Sequence, residues 1–203
     1  FAGRNISVTH SALSSTRVMA TCGVIGQAAG AAAAMAVHYS VKHRDIGQRI
    51  SELQQLLQQQ DIWLPFVKKK IGAATLAATV RSNMKNTALL FNGIERETDR
   101  SVNYACGEKG SRVNLIFDKP VCISGVRLVF DSDLNRETLP DWERRINRNM
   151  IHNIPLGLEP SYPPKTLMRR FTVTLTLDNG ETESREINNY YQRLFIWKTR
   201  RKI

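Results

Sequence analysis

One long run of apolar and small residues dominates the start of the chain, from Met19 to Val37. The run contains neither proline nor a charged residue, and its commonest residue is Ala, the best helix former. Ser15 or Thr16 precedes it with a hydroxyl that suits a helix N-cap. The pattern therefore predicts a helix of about twenty residues. Glycines weaken an isolated helix by about 1 kcal/mol each, so we expect this helix to lie against a close neighbour. The glycines within the run are Gly23, Gly26 and Gly30.

The same run is about long enough to cross a bilayer, since a spanning helix needs about twenty apolar residues. However, Ala and Gly are only weakly apolar, and Gln27 lies in the middle of the run. We therefore favour a closely packed helix over a membrane span.

A second, amphipathic helix is predicted after Asp45, which suits an N-cap or a first-turn position. Its apolar residues recur at helical spacing, at Ile46, Ile50, Leu53 and Leu57. Most positions between them are Gln, Glu or Ser. Pro65 cannot continue a helical turn, so the helical part is expected to end before it.

Beyond residue 75 the helical period gives way to short alternating runs separated by turns. The predicted strands are 88–91, 112–117, 124–130, 170–177, 184–187 and 194–198. The alternation from Phe171 to Leu177 is typical of a half-buried antiparallel strand, and Asn-Gly turns suit a β-sandwich.

The predicted fold class is therefore α+β, with two helices followed by an antiparallel β-sandwich of the jelly-roll kind. We expect a helical part over residues 1–65, a linker over 66–74 and a β-sandwich domain over 75–203. A chain of 203 residues has ample length for two small cores.

Charge raises the question of nucleic acid, because the net charge is +11, from 29 Lys and Arg against 18 Asp and Glu. The excess is spread out, and the two dense clusters lie at Lys68–Lys70 and Lys198–Lys202. Trp197 is the one aromatic residue beside either cluster. Because stacking aromatics are not interleaved with the cations, we predict solvated basic surfaces and no specific nucleic-acid partner.

The cysteines, Cys22, Cys106 and Cys122, have no metal-ligand spacing. Cys22 is expected to be a buried, inert thiol of the first helix. Cys106 and Cys122 fall in the same domain, so a disulfide between them is left open, although an odd count argues against a disulfide framework.

The string AGRNISVTHSALSSTRVMATCGVIGQAAGAAAA resembles the carboxyl-terminal, flavin-contacting segment of a bacterial family of FAD-dependent oxidoreductases with a dinucleotide-binding fold. The motif TH-x-A-x-x-S-T-R-V-M-A-T-C leads into the helix in that family, and Ser14 stands where the family pattern has glycine. The resemblance is physically sensible, because a helix amino terminus offers unpaired N–H groups and a positive dipole end to a ligand.

This resemblance implies FAD as the cofactor. It implies that Gly3 and Arg4 approach the diphosphate or ribityl chain, and that the backbone from Arg17 to Met19 faces the pyrimidine edge of the flavin. The implied cofactor-contacting set is Gly3, Arg4, Asn5, Ser15, Arg17, Val18 and Met19.

The Gly-rich motif G-x-G-x-x-G does not occur in the sequence. The main FAD-binding motif is therefore expected upstream of Phe1, in the same protein. We expect this chain to be a fragment that does not retain FAD alone, and its compartment stays open.

Catalytic residues are not indicated by any recognisable triad or nucleophile motif. His10 is the one ionisable group near the expected flavin edge. It could act on substrate protons or brace the turn, and we favour bracing.

A second resemblance covers NGIERETDRSVNYACGEKGSRVNLIFDKPVCISGVRLVFDSDLN, the later strand RRFTVTLTLDNG, and NNYYQRL. These pieces are similar to a discoidin-like or galactose-binding-like jelly roll. The resemblance implies an accessory module that binds carbohydrate or another protein.

Oxygen ligands alternate at Asp131, Asp133 and Asn135, as at the start of a calcium loop. The sixth position is Arg136 and the twelfth is Trp142, so we favour an acidic turn over a metal site.

The long segment 137–164 is expected to be a loop between strands. If it binds sugar, the first candidates are Trp142, Arg144, Arg145 and Tyr162.

Two functions stay open at this point. The first is a fragment of an FAD-dependent oxidoreductase whose partner is the upstream FAD-binding domain, and the alternative is a carbohydrate-binding or protein-binding β module with no redox role. The small-residue helix is also compatible with a homo-oligomer.

Overall fold

A computed structural model describes residues 1–96, 103–132 and 166–203. The chain forms two compact units, Phe1–Lys70 and Ile71–Ile203. The first is helical, and the second contains all the strands in the described ranges, so the predicted α+β class is confirmed. The domain assignment over 1–65 and 75–203 stays a prediction.

The helices are α1 (Leu13–Thr16), α2 (Met19–His38), α3 (Ile50–Gln59) and α4 (Ala73–Ala77). Short 3₁₀ turns cover Gly3–Asn5, His10–Ala12, His43–Arg49 and Thr87–Phe91. The strands are β1 (Thr79–Ser82), β2 (Val113–Ile116), β3 (Cys122–Val129), β4 (Arg170–Thr176), β5 (Thr182–Asn188) and β6 (Leu194–Lys202).

The core of the first unit joins α2 to α3 and to the 3₁₀ turn between them. Its buried apolar residues are Ala31, Met35, Ala36, Ile46, Leu53 and Leu57. Small side chains at Ala31 and Ala36 let the helices approach closely. The three α2 residues in this core all belong to its carboxyl-terminal half, so the amino-terminal half of α2 contributes none of the fully buried residues.

Two details of the predicted helices are wrong. The N-cap residue of α2 is Val18, whose extended backbone separates α2 from α1, whereas Ser15 and Thr16 lie within α1 and their hydroxyls donate to the carbonyl oxygen of Ala12, at 3.2 and 2.6 Å. Ile50 was expected on the buried face of the second helix but is 51% exposed. The chain is a 3₁₀ helix up to Arg49, and its tighter turn changes the rotation between Ile46 and Ile50.

The second unit contains three two-stranded antiparallel sheets among its described residues, β1 with β2, β3 with β6 and β4 with β5. The predicted strands at 112–117, 124–130, 170–177, 184–187 and 194–198 correspond to β2 to β6. The antiparallel arrangement is confirmed, whereas the closed β-sandwich or jelly roll stays a prediction.

The sheets β3–β6 and β4–β5 share one apolar core, centred on Leu175, Phe195 and Trp197. Phe171 packs edge-to-face against Phe195, with ring centroids 5.1 Å apart. The guanidinium of Arg185, an exposed residue of β5, lies over the Trp197 ring at 4.6 Å from its centroid and so covers this part of the core.

The segment predicted as a strand at 88–91 is instead part of the 3₁₀ turn Thr87–Phe91. Asn86 begins this turn in the left-handed conformation, with φ of 58°, and the hydroxyl of Thr87 donates to the carbonyl of Met84 at 3.0 Å. Local side-chain to backbone bonds therefore outweigh the β propensity of a short apolar run. Residues 66–72 contain neither helix nor strand, whereas residues 73 and 74 of the predicted linker belong to α4, and the linker over 66–74 stays a prediction.

The disulfide left open between Cys106 and Cys122 is not formed, because both are exposed free thiols. Cys22 is free and only half-buried. Its thiol lies 3.7 Å from the carbonyl oxygen of Thr16, so it contributes to the turn before α2 as a weak donor.

At Gly125 the backbones of β3 and β6 lie too close together to leave room for a side chain. A Cβ atom there would lie 2.6 Å from the carbonyl oxygen of Trp197, at a bulge between Ile123 and Gly125.

We expect Gly125→Ala to lower the free energy of unfolding by about 2 kcal/mol, because the backbone must shift to relieve the contact. Urea unfolding followed by tryptophan fluorescence measures this. Ser124→Ala, at an exposed neighbouring position, is the control, and equal midpoints for the two variants would contradict the prediction.

Candidate functional site

The amino end of α2 is exposed and uncapped. Val18 has extended backbone angles, φ −78° and ψ 151°, and no side chain caps the helix. The N–H groups of Met19, Ala20 and Thr21 have no acceptor within the helix, by the geometry of any α-helix start. The side chain of Met19 is 92% exposed. The helix therefore offers unpaired donors and a positive dipole end at an open surface.

The side chains that could have capped α2 are used to hold the preceding turn. Besides the two hydroxyl bonds to Ala12, the amide of Arg17 donates to the Leu13 carbonyl at 3.2 Å. Thr21 reaches back across the break, and its hydroxyl donates to the carbonyl of Ser15 at 3.2 Å. The turn is thus braced from both sides, and the amide groups of α2 are left for another acceptor.

Gly3 lies in the left-handed region, with φ of 66°, at the start of the Gly3–Asn5 turn. No atom lies within 4 Å of where its Cβ would be, so the backbone is open on that side. This turn lies alongside α2, and the side chains of Arg4 and Asn5 are exposed. An open glycine backbone with an adjacent cation suits a phosphate-bearing ligand.

The structure therefore brings two parts of the predicted set into one unit, the Gly3–Asn5 turn and the segment from Ser15 to Met19. Apart from Gly3, all residues of the set are exposed. Their contacts with a cofactor stay predictions.

His10 is exposed at the start of its 3₁₀ turn. Within the described part of the chain its imidazole forms no hydrogen bond, so the bracing role that we favoured is not supported by a contact. A role on substrate protons stays a prediction.

The candidate residues of the second unit are mostly beyond what the structure describes. Asp131 is half-buried in the described range, whereas Asp133 and Asn135 lie outside it. Trp142, Arg144, Arg145 and Tyr162 also lie outside. In the ranges that are described, three or more His, Cys, Asp or Glu side chains do not come together as a metal site.

A groove that the sequence did not reveal lies between the end of α2 and α3, with a volume of about 490 Å³. The hydroxyl of Tyr39 donates to Glu52 at 2.7 Å, and Arg49 binds the same carboxylate at 2.8 Å. The hydrogen bond from Tyr39 lowers the pKa of the Glu52 carboxyl, and it also raises the pKa of Tyr39. The polar groups of Tyr39, Arg49 and Glu52 are thus bonded to one another. We interpret the groove as a gap left by the packing of the two helices.

The first unit thus contains an uncapped helix start and a left-handed glycine turn that contacts the same helix. An uncapped helix start of this kind defines a class of site, the helix terminus that can bind an anionic or carbonyl-bearing cofactor. Residues 1–57 match the model of the FAD dependent oxidoreductase family. No curated protein and no solved structure matches the chain. The match supports the predicted FAD-dependent oxidoreductase segment, and the galactose-binding-like resemblance stays a prediction.

The lowered pKa of Glu52 makes a pH prediction. Its folded-state pKa lies below the unfolded value of about 4.3. The ionised pair therefore stabilises the protein above that pH, and the contribution is lost as pH falls through the folded pKa. We expect Glu52→Gln to be less stable than the wild type at neutral pH, with the difference disappearing under acid conditions. Thermal melts across pH 3 to 7 (about one unit apart) would measure it. Asp45→Asn, at an exposed acid of the same unit, is the control, and a difference that persists in acid would exclude this origin.

Proposed function

We propose that this chain forms the carboxyl-terminal part of the flavin domain of an FAD-dependent oxidoreductase, followed by an accessory β unit. The observation that carries the proposal is that the family match and two backbone features suited to a cofactor fall in the same residues. The family match over residues 1–57 includes the uncapped amino end of α2 and the left-handed turn at Gly3. These are the features that a nucleotide cofactor requires of the backbone.

The residues present fit such a cofactor. Gly3 would let the backbone come close to the diphosphate region, and Arg4 would supply a positive charge to it. The amides at the start of α2, from Met19 onward, would donate to a carbonyl or an anionic edge of the flavin ring. When bound, FAD supplies hydride transfer, and the part of this chain is to bind and orient it.

The open face of α2 supports the upstream FAD-binding domain as a partner. No atom lies within 4 Å of a Cβ built at Gly23, Gly26 or Gly30, so another surface can approach the backbone closely. By length and composition α2 is also able to cross a membrane, and little of it is buried. We favour the domain as its neighbour, because Gln27 lies on the exposed side and donates to Gln60 at 3.0 Å. A homo-oligomer through the same face would be the alternative use.

The second unit is proposed as an accessory module that this enzyme carries. It has its own buried core at Leu175, Phe195 and Trp197, as a separate module requires. Carbohydrate or protein binding by this unit, without a redox role for the chain, is the alternative function. The proposal includes no specific nucleic-acid partner.

The test of the proposal is the colour of the complete protein. Expressed together with the sequence encoded upstream, the chain is expected to yield yellow protein with a flavin absorbance band, because the phosphate-binding motif is then present. This chain alone is expected to be colourless. A colourless complete protein that still binds on a glycan array would overturn the oxidoreductase proposal and favour the β module.

Met19→Pro tests the amide donors directly. Proline is tolerated at the first position of a helix, and the extended backbone of Val18 suits a residue before proline. The variant therefore keeps α2 while removing one donor. We expect FAD affinity of the complete protein to fall about tenfold, as for one lost hydrogen bond to a charged or polarised group. Met19→Ala, which keeps the amide, is the control, and flavin fluorescence titration is the measurement. Equal affinities for the two variants would exclude a donor at this position.

A further inference from the structure

A tight turn from Leu64 to Val67 projects an aromatic side chain into solvent. The amide of Val67 donates to the Leu64 carbonyl at 3.3 Å, and Phe66 has φ of 65°. This turn position normally takes Gly or Asn, and an aromatic residue there is a backbone outlier. The Phe66 side chain is fully exposed at 105%, so no internal contact compensates for the strain. Such a combination points to a role outside the fold.

The chain that follows the turn is held rigidly by α3. Gln58, only 4% exposed, donates to the Val67 carbonyl at 3.1 Å. Gln55 binds the next residues with both ends of its amide, donating to the Lys68 carbonyl at 2.9 Å and accepting from the Lys70 amide at 2.8 Å. The projecting ring is therefore presented by a preorganised segment.

Cations follow the aromatic residue in the sequence. Lys68, Lys69 and Lys70 come after Val67, and residues 62–78 contain no acidic residue. Lys68 and Lys70 are exposed. Glu52 lies near Lys70, but its carboxylate is already bonded to Tyr39 and Arg49. Trp63, in the same segment, is 38% exposed. Residues 63–70, the Phe66 turn, thus combine aromatic and cationic side chains.

We propose that the Phe66 turn docks the protein onto an anionic lipid surface. Phe66 enters the boundary between headgroups and acyl chains, and the lysines bind the anionic headgroups. Trp and Phe are among the residues that proteins bury in this boundary region. A single projecting ring fits a fluid layer that adapts to it, whereas a protein partner would have to provide a fitted pocket within a larger interface. The proposal does not depend on the flavin assignment.

The experiment is sedimentation of the full chain with vesicles of phosphatidylcholine containing about one third phosphatidylserine, beside vesicles of phosphatidylcholine alone. Binding is expected to the anionic vesicles and is expected to weaken as salt is raised. Phe66→Gly should lower the partition coefficient about tenfold, because the apolar anchor is removed. Glycine adopts the positive φ without strain, so the thermal midpoint should be kept or raised. Phe1→Gly removes an equally exposed ring elsewhere and should bind as the wild type does.

Charge is tested by Lys68→Gln, which should weaken binding about fivefold, against Lys109→Gln at an exposed position of the second unit. The proposal is overturned if the wild type ignores anionic vesicles or binds neutral ones equally well. It is also overturned if Phe66→Gly binds as the wild type does. Binding to an acidic peptide that requires Lys68, without vesicle binding, would assign the surface to an acidic protein instead.

Discussion

The candidate site of the first unit depends on the backbone amides at the start of α2, which have no side-chain cap. Every α-helix begins with N–H groups that its own carbonyls cannot reach. Ser15 and Thr16, the predicted caps, lie within α1, where their hydroxyls donate to the carbonyl oxygen of Ala12. The extended residue Val18 occupies the N-cap position of α2 and has no polar side chain. The break in the chain between α1 and α2 therefore leaves the start of α2 without a cap.

The two halves of α2 differ in their contacts. Its carboxyl-terminal half supplies Ala31, Met35 and Ala36 to the buried cluster with α3. Its amino-terminal half holds Gly23, Gly26 and the uncapped start. The start of α2 therefore lies about three turns away from the first of the buried residues that anchor the helix.

Sequence reasoning recovered the elements that depend on long, regular periodicity. Leu53 and Leu57 are buried as their spacing predicts, and strand β4 lies where the alternation from Phe171 to Leu177 places it. It was wrong where a few local bonds decide the conformation, as at Thr87–Phe91, where Asn86 and Thr87 start a 3₁₀ turn. It was also silent on the conformation of Phe66, because a positive φ at an aromatic residue follows from neither composition nor period. The glycine turn at Gly3 was found only through the family resemblance.

The energetics of α2 link its two halves. Three glycines and a missing cap together weaken the isolated helix by about 4 kcal/mol relative to an Ala-rich, capped one. The buried cluster with α3 offsets this in the carboxyl-terminal half, where its residues lie. In the amino-terminal half nothing within the described residues does so to the same extent, because no atom lies within 4 Å of a Cβ built at Gly23 or Gly26. A ligand at the helix start, or a surface against the glycines, binds the folded form of this half and so stabilises it by mass action. The sequence of α2 itself therefore couples the order of its amino-terminal half to whatever binds there.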